Sequence, residues 1–149
     1  MHPDSFLARL IDGRQPRAPI MDLLGWQFTG HDAETGTLTA EMEARPEFLN
    51  PAGSVHGGML AAMLDETLAP TVAAALGPDE FAPTIEIKVS FIAPARGGRI
   101  LAKGRLVNKG RSICFAEAEL RDESGRLLAT ATATSKITSS VKPIGGKPA

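Results

Sequence analysis

The stretch Asn50-Pro51-Ala52-Gly53-Ser54-Val55-His56-Gly57-Gly58 leads into a long apolar run that two adjacent carboxylates, Asp65 and Glu66, interrupt. Adjacent glycines cost roughly 1 kcal/mol each relative to Ala inside a helix. In a first helical turn that cost falls, and two exposed backbone N–H groups gain room for something to approach. The helix N-terminus adds partial positive charge, so the site suits an anion or a developing oxyanion. A tight loop-to-helix turn alone would require the same glycines. Charged side chains are rarely buried without a partner. Asp65 and Glu66 therefore either face solvent or a basic group, or supply a base or nucleophile in a semi-apolar cleft.

Helical geometry limits how these residues can cooperate. His56 and Asp65 stand nine positions apart, about 13.5 Å of rise and roughly 180° around the axis. Gly57 and Asp65 are separated by about 12 Å. They cannot act on one atom within a single straight helix. Either the features are unrelated, or one chain supplies Gly57 and another supplies Asp65. Glu66 lies about 100° further round and is expected to matter less than Asp65. His56 reads first as a cap that orients the loop and second as a base. The other histidines, His2 and His31, have no partner pattern, and with a single cysteine no metal-ligand spacing arises.

The elements that must hold these residues follow from periodicity and breakers. Ser5 to Ile11 can make one short helix, ended at Gly13, and residues 15–19 then break the chain with Pro16 and Pro19. Strands are expected at 26–28 and 37–43; in the second, Leu38, Ala40 and Met42 share one face. From His56 to Leu76 the pattern is helical and largely buried, ending at Gly77-Pro78, with Pro70 expected to kink or divide it. Ile85, Ile87, Val89 and Phe91 then alternate with polar residues. Further strands fit 100–108, 112–121 and 127–137, joined by turns short enough for antiparallel pairing. Two strands, one long helix and four strands suit an antiparallel sheet wrapped around a buried helix.

At 149 residues the chain suits one domain. Hydrophobic residues at 43% and charged residues at 22% are ordinary globular proportions, not those of disorder. Sixteen basic against seventeen acidic residues leave a net charge of −1, which argues against non-specific nucleic-acid or membrane affinity. Cys114 stands alone, so no intrachain disulfide is possible. The opening residues lack a secretory pattern and no apolar run is long enough for a membrane span, so a cytoplasmic protein is expected. The expected organisation is an N-terminal helix and linker at 1–18, the main domain at 19–138, and a disordered tail at 139–149.

The motif Asn50-Pro-x-Gly-x-Val-His56-Gly57-Gly58, the carboxylate Asp65 nine residues after the histidine, and Phe91-Ile-Ala-Pro94-Ala95 resemble the hotdog-fold acyl-CoA thioesterases. The nearest branch is the PaaI-like group, named for phenylacetate degradation, and the similarity spans residues 19–137. The resemblance implies an α+β hotdog fold, two protomers sharing one continuous sheet, usually a tetramer built as a dimer of dimers, and a site at the dimer interface. It further implies that the Gly57 N–H polarises a thioester carbonyl while Asp65 of the facing chain acts as nucleophile or general base. Asn50 and His56 match positions that orient the water or the loop, and Thr84 falls where some relatives place a hydroxyl.

The activity implied is hydrolysis of an acyl- or aryl-CoA thioester to free acid and CoA, with no metal or redox cofactor. Gly58, Asn108, Lys109 and Arg111 are candidates for contacting the substrate, as Arg96, Arg99 and Lys103 are for the CoA phosphates. Asn108 and Gly110 are also a hairpin signal, and surface cations are ordinarily just solvated. Trp26, Phe28, Phe81 and Phe91 either line an acyl pocket or pack in the core. Two rivals remain: a dehydratase or hydratase of the same fold, and a non-catalytic acyl-CoA-binding module. His-Gly-Gly-x6-Asp favours hydrolysis over the first. The second would ordinarily bring a DNA-binding segment, which the sequence does not display.

Overall fold

The computed structural model describes residues 1–139. Helix α1 (Phe6–Ile11) is capped by the Ser5 hydroxyl, which accepts from the Ala8 N–H. A second short helix, α2 (Pro19–Leu23), follows where only a break was expected. Pro19 starts it rather than stopping it, because the first helical position needs no N–H donor. Strand β1 (Gln27–Asp32) and strand β2 (Thr37–Ala44) form a hairpin, and a 3-10 turn at Pro46–Phe48 leads to the loop before α3 (Gly57–Ala73). The remainder is β3 (Glu80–Phe81), β4 (Thr84–Phe91), β5 (Gly98–Lys109), β6 (Ile113–Asp122), β7 (Leu127–Lys136) and β8 (Thr138–Ser139). Ser139, the first residue of the expected tail, pairs with Glu80. Residues 140–149 of that expectation lie outside the described residues.

Six strands make one sheet in the order β1-β2-β5-β6-β7-β4, antiparallel at every pairing. Consecutive hairpins account for β5, β6 and β7, whereas the chain passes β7 and β6 on its way from edge strand β4 to β5. The inward faces of β2, β5, β6 and β7 supply Leu38, Met42, Ile100, Leu120 and Leu128, all buried. Helix α3 lies on that face with Leu60, Met63, Leu64, Leu68 and Val72 against it. This is the hotdog fold. Of the two expected effects of Pro70, a kink or a division, the division does not occur: α3 is continuous through it. It stands in the last turn, where the Ala74 N–H still bonds to the Pro70 carbonyl at 2.9 Å. Among the described residues no helix is long and apolar enough to cross a membrane.

Polar groups on the buried face of α3 are satisfied within the helix. The hydroxyls of Thr67 and Thr71 donate to the carbonyls of Met63 and Thr67, both at 2.7 Å. Opposite them stands Gly104 of β5. A Cβ there would collide with the Thr71 hydroxyl and lie 3.3 Å from the Thr67 carbonyl oxygen. The helix therefore sits as close to the sheet as a missing side chain allows.

The two sheet edges differ in character. Edge strand β1 ends in Gly30, His31 and Asp32. Edge strand β4 carries Ile85 and Phe91, 59% and 57% exposed, and Ile92 follows at 57%. An edge this long and apolar is a template for pairing.

The contact at Gly104 yields a test of the fold. Gly104→Ala should cost about 1–3 kcal/mol through overpacking, read as a lower urea midpoint. Adding Thr71→Ala should recover part of that loss by removing the colliding hydroxyl. A single variant as stable as the wild type would show that α3 can shift freely.

Candidate functional site

The loop before α3 is held by its own side chains. The Asn50 Oδ1 accepts from the N–H groups of Ala52 (2.9 Å) and Ser54 (3.3 Å), while its Nδ2 donates to the Ser54 hydroxyl at 3.0 Å. The Val55 N–H donates to the Ala95 carbonyl and the His56 N–H to the Phe48 carbonyl, at 2.8 and 2.7 Å. Asn50 thus spends its amide on loop shape. His56 is the N-cap of α3: its Nδ1 accepts from the Gly58 N–H at 2.9 Å, which leaves Nε2 as the protonated nitrogen of the neutral ring.

That cap changes the expectation for the two glycines. The Gly58 N–H is occupied by His56, so only one donor of the pair is open. The Gly57 N–H finds no acceptor among the described residues. The Phe91 ring covers Gly57 so closely that a Cβ would meet it at 3.1 Å. Gly57 thus combines a free donor, a helix N-terminus and an aromatic wall.

Asp65 emerges from the middle of α3 and is exposed. Its Oδ1 accepts a hydrogen bond from the Thr84 hydroxyl at 3.0 Å, across nineteen residues of sequence. Thr84 opens β4 and Phe91 closes it. One strand therefore reaches Asp65 with its first residue and Gly57 with its last. Within this chain Gly57 and Asp65 remain apart, as the helix requires.

Asp65, Glu66 and Thr84 share a cavity of about 310 Å³ roofed by α1 and α2. Phe81 lines it, whereas Trp26 is core and Phe28 packs against the core. The apolar spacing of Phe6, Leu7 and Leu10 signals a buried helical face, but nothing in it says what the face covers. Burial in this apolar setting, with the Asp65 charge adding, pushes the Glu66 carboxyl up to about 7, and Arg17 pulls the other way. Sequence spacing ranks Glu66 behind Asp65, yet Glu66 has the more unusual surroundings.

The remaining candidates scatter. The Lys109 ammonium donates to the Ala75 carbonyl at 2.9 Å and to Glu80 at 3.1 Å, bracing the exit of α3. Asn108 and Arg111 flank the β5–β6 hairpin, exposed. Arg99 pairs with Glu41 and Glu123, while Arg96 and Lys103 are exposed. Cys114 is buried, and among the described residues no three His, Cys, Asp or Glu gather to hold a metal ion.

The raised Glu66 value has a consequence for stability. A carboxyl held above its ordinary 4.5 contributes stability that is full below that pH and is lost as the pH rises through about 7. Glu66→Gln, uncharged throughout, should raise the urea midpoint at pH 8 and change it little at pH 4.5. Equal shifts at the two pH values would contradict a cost of ionisation at this position.

Comparison with known proteins bears on the family and the fold. The profile of the thioesterase superfamily matches residues 52–129, more than half of the chain. A phenylacetic acid degradation-related protein of Ralstonia eutropha JMP134 superposes with a TM-score of 0.85 at 37% identity, covering 88% of this chain and 98% of that one. A Pseudomonas aeruginosa protein designated an esterase is 31% identical over 81% of this chain and 92% of its own length. Human acyl-coenzyme A thioesterase 13 is 26% identical over 65% of this chain and 70% of its own. Fold, motif and relatives agree: the chain is a hotdog-fold thioester hydrolase of the thioesterase superfamily, on its PaaI-like branch.

Proposed function

We propose that the protein hydrolyses acyl-CoA thioesters at sites each built from two copies of the chain. The observation that carries this reading is the reach of β4, from the Asp65–Thr84 pair at one end to the Phe91–Gly57 contact at the other. Antiparallel pairing of two β4 strands about a two-fold axis between Ile87 and Lys88 sets Thr84 opposite the partner's Phe91. Asp65 then stands beside the partner's Gly57. The apolar, exposed edge of β4 supports such pairing. The relatives named for acyl-coenzyme A hydrolysis and for phenylacetic acid degradation support a CoA thioester as substrate.

The chemistry follows from the groups present. Thr84 directs its one O–H donor to the Asp65 carboxylate, so its oxygen lone pairs are free to accept a hydrogen bond from a water. Asp65 takes a proton from that water as its oxygen bonds to the thioester carbon. The carbonyl electron pair moves onto oxygen, which the partner's Gly57 N–H stabilises with the help of the helix terminus. Collapse of this tetrahedral centre breaks the C–S bond, and the proton on Asp65 passes to the leaving thiolate. Free acid and CoA result.

A thiol-release assay over short-, long-chain and aryl acyl-CoAs tests the activity; binding without release would leave a carrier rather than a hydrolase. Asp65→Asn keeps the side-chain size and removes the base, so kcat should fall at least ~10²-fold with the fold intact. An unchanged kcat would remove Asp65 from the mechanism.

Mixing two inactive variants tests the shared site. Gly57→Pro deletes the open donor at a first-turn position, after a His56 backbone (φ −57, ψ 136) that proline accepts. Co-expressed with Asp65→Asn in equal amounts, half the dimers are mixed and each holds one intact site. About a quarter of all sites should therefore recover. Mixed dimers with no recovery would place the whole site within one chain.

A further inference from the structure

Two glycines open α3, and neither has the positive φ that favours glycine. What each leaves room for is a ring. A Cβ on Gly57 would stand 3.1, 3.3 and 3.4 Å from Cζ, Cε2 and Cε1 of Phe91, and one on Gly58 would stand 3.1 Å from Nδ1 of His56. Cα–Cβ bonds tilt toward the N-terminus of a helix, the same end from which its first N–H groups point. The tip of the Phe91 ring therefore flanks the open Gly57 N–H, and His56 closes over the next residue. The backbone behind the ring is pinned. Phe91 pairs with Ala129 in β7, and the Ile92 and Ala93 N–H groups both donate to the Leu128 carbonyl, at 2.9 and 3.1 Å. On the other side, the Val55 N–H ties the loop before α3 to the Ala95 carbonyl at 2.8 Å. Strand end and helix start are thus held against each other.

We propose that Phe91 sets the acyl specificity of the thioester site, admitting acyl groups with a methylene next to the carbonyl and rejecting those branched at that carbon. The proposal rests on the thioester hydrolysis argued above and deepens it. To be polarised, the carbonyl oxygen must come within about 3 Å of the Gly57 nitrogen. The adjoining acyl carbon then lies two bonds from that oxygen, and its substituents three, beside the ring. A methylene carries one substituent, which can turn away from Phe91. A branched carbon carries two, and turning one away brings the other in. The wall has no slack to absorb it, since a single carbon added at Gly57 already stands inside ordinary contact distance of the ring. The exposed side of Phe91 offers no retreat either, because the pairing of β4 strands proposed above sets the partner's Thr84 there.

The test pairs the best acyl group of the wider panel with its isomer branched at the carbon next to the carbonyl, so that composition cancels. For a short chain the pair is butanoyl- and 2-methylpropanoyl-CoA; for an arylalkyl chain it is 3-phenylpropanoyl- and 2-phenylpropanoyl-CoA. By thiol release the unbranched isomer should lead about 10-fold or more in kcat/KM, the scale of one misplaced carbon in a tight site. Phe91→Ala should bring the two isomers to within about two-fold of each other. Phe91→Leu, which keeps an apolar side chain on the strand but lacks the Cε and Cζ atoms that reach Gly57, should narrow the gap as well. Each ratio is read on one sample, so lost folding or assembly does not move it. A ratio of one in the wild type, or one that survives both variants, overturns the assignment. So does a best substrate that is an aroyl-CoA, whose carbon next to the carbonyl is already branched. Gly57→Ala gives a second line of evidence, since it keeps the N–H and adds the carbon that meets the ring. It should lower kcat/KM about 10-fold in the wild type and much less beside Phe91→Ala. Equal losses in the two backgrounds overturn Phe91 as the limiting wall. Release of thiol from no substrate of the panel would instead remove the hydrolytic reading itself.

Discussion

A straight helix cannot present its first residue and its ninth to the same atom, and the organisation of this protein answers that constraint. Helix α3 has no freedom to bend the two together. Its face is buried, its threonine hydroxyls are tied to its own carbonyls, and Gly104 lets it rest directly on β5. Pro70, the one residue able to break it, stands past Asp65 in the last turn. The span between Gly57 and Asp65 is consequently fixed, and β4 runs beside it touching one residue at each end. Rigidity in the helix becomes a ruler for the strand.

Around that ruler, polar groups divide between building and chemistry. Asn50, His56, Lys109 and Glu80 close loops and helix ends, each through hydrogen bonds of ordinary length. What they leave over is small: one backbone donor at Gly57, one carboxylate with its threonine, and one half-buried glutamate. The N-terminal helices have a part in this economy. Without α1 and α2 the flank of α3 around Glu66 would be wet, and its carboxyl would have no cause to depart from the ordinary range.

The sequence made the frame legible because the frame is periodic. Alternation in Leu38, Ala40 and Met42 and the helical run from Met59 to Val72 reflect burial, which repeats, so strands and helix fall within a few residues of expectation. Family likeness alone points to Thr84, and nothing in the sequence points to its bond with Asp65, since a nineteen-residue separation leaves no local pattern. Three things were hidden for physical reasons. Pro19 reads as a breaker although the first helical position welcomes it. Lys109 reads as a free cation, because only the folded chain brings the Ala75 carbonyl within reach. Glu66 reads as the lesser of two carboxylates, because desolvation is set by α1 and α2, about fifty residues away in sequence. Local patterns carry element type well and tertiary environment poorly.

Trp26 stands where α2 hands the chain to β1, 1% exposed, with Arg17 over its ring at 5.9 Å and its indole N–H without a partner among the described residues. The chain contains no tyrosine and no second tryptophan. Its long-wavelength ultraviolet fluorescence therefore originates at a single point, in the seam between the N-terminal helices and the sheet. The emission of Trp26 is an intrinsic optical reporter of whether that seam is closed, and it requires no label.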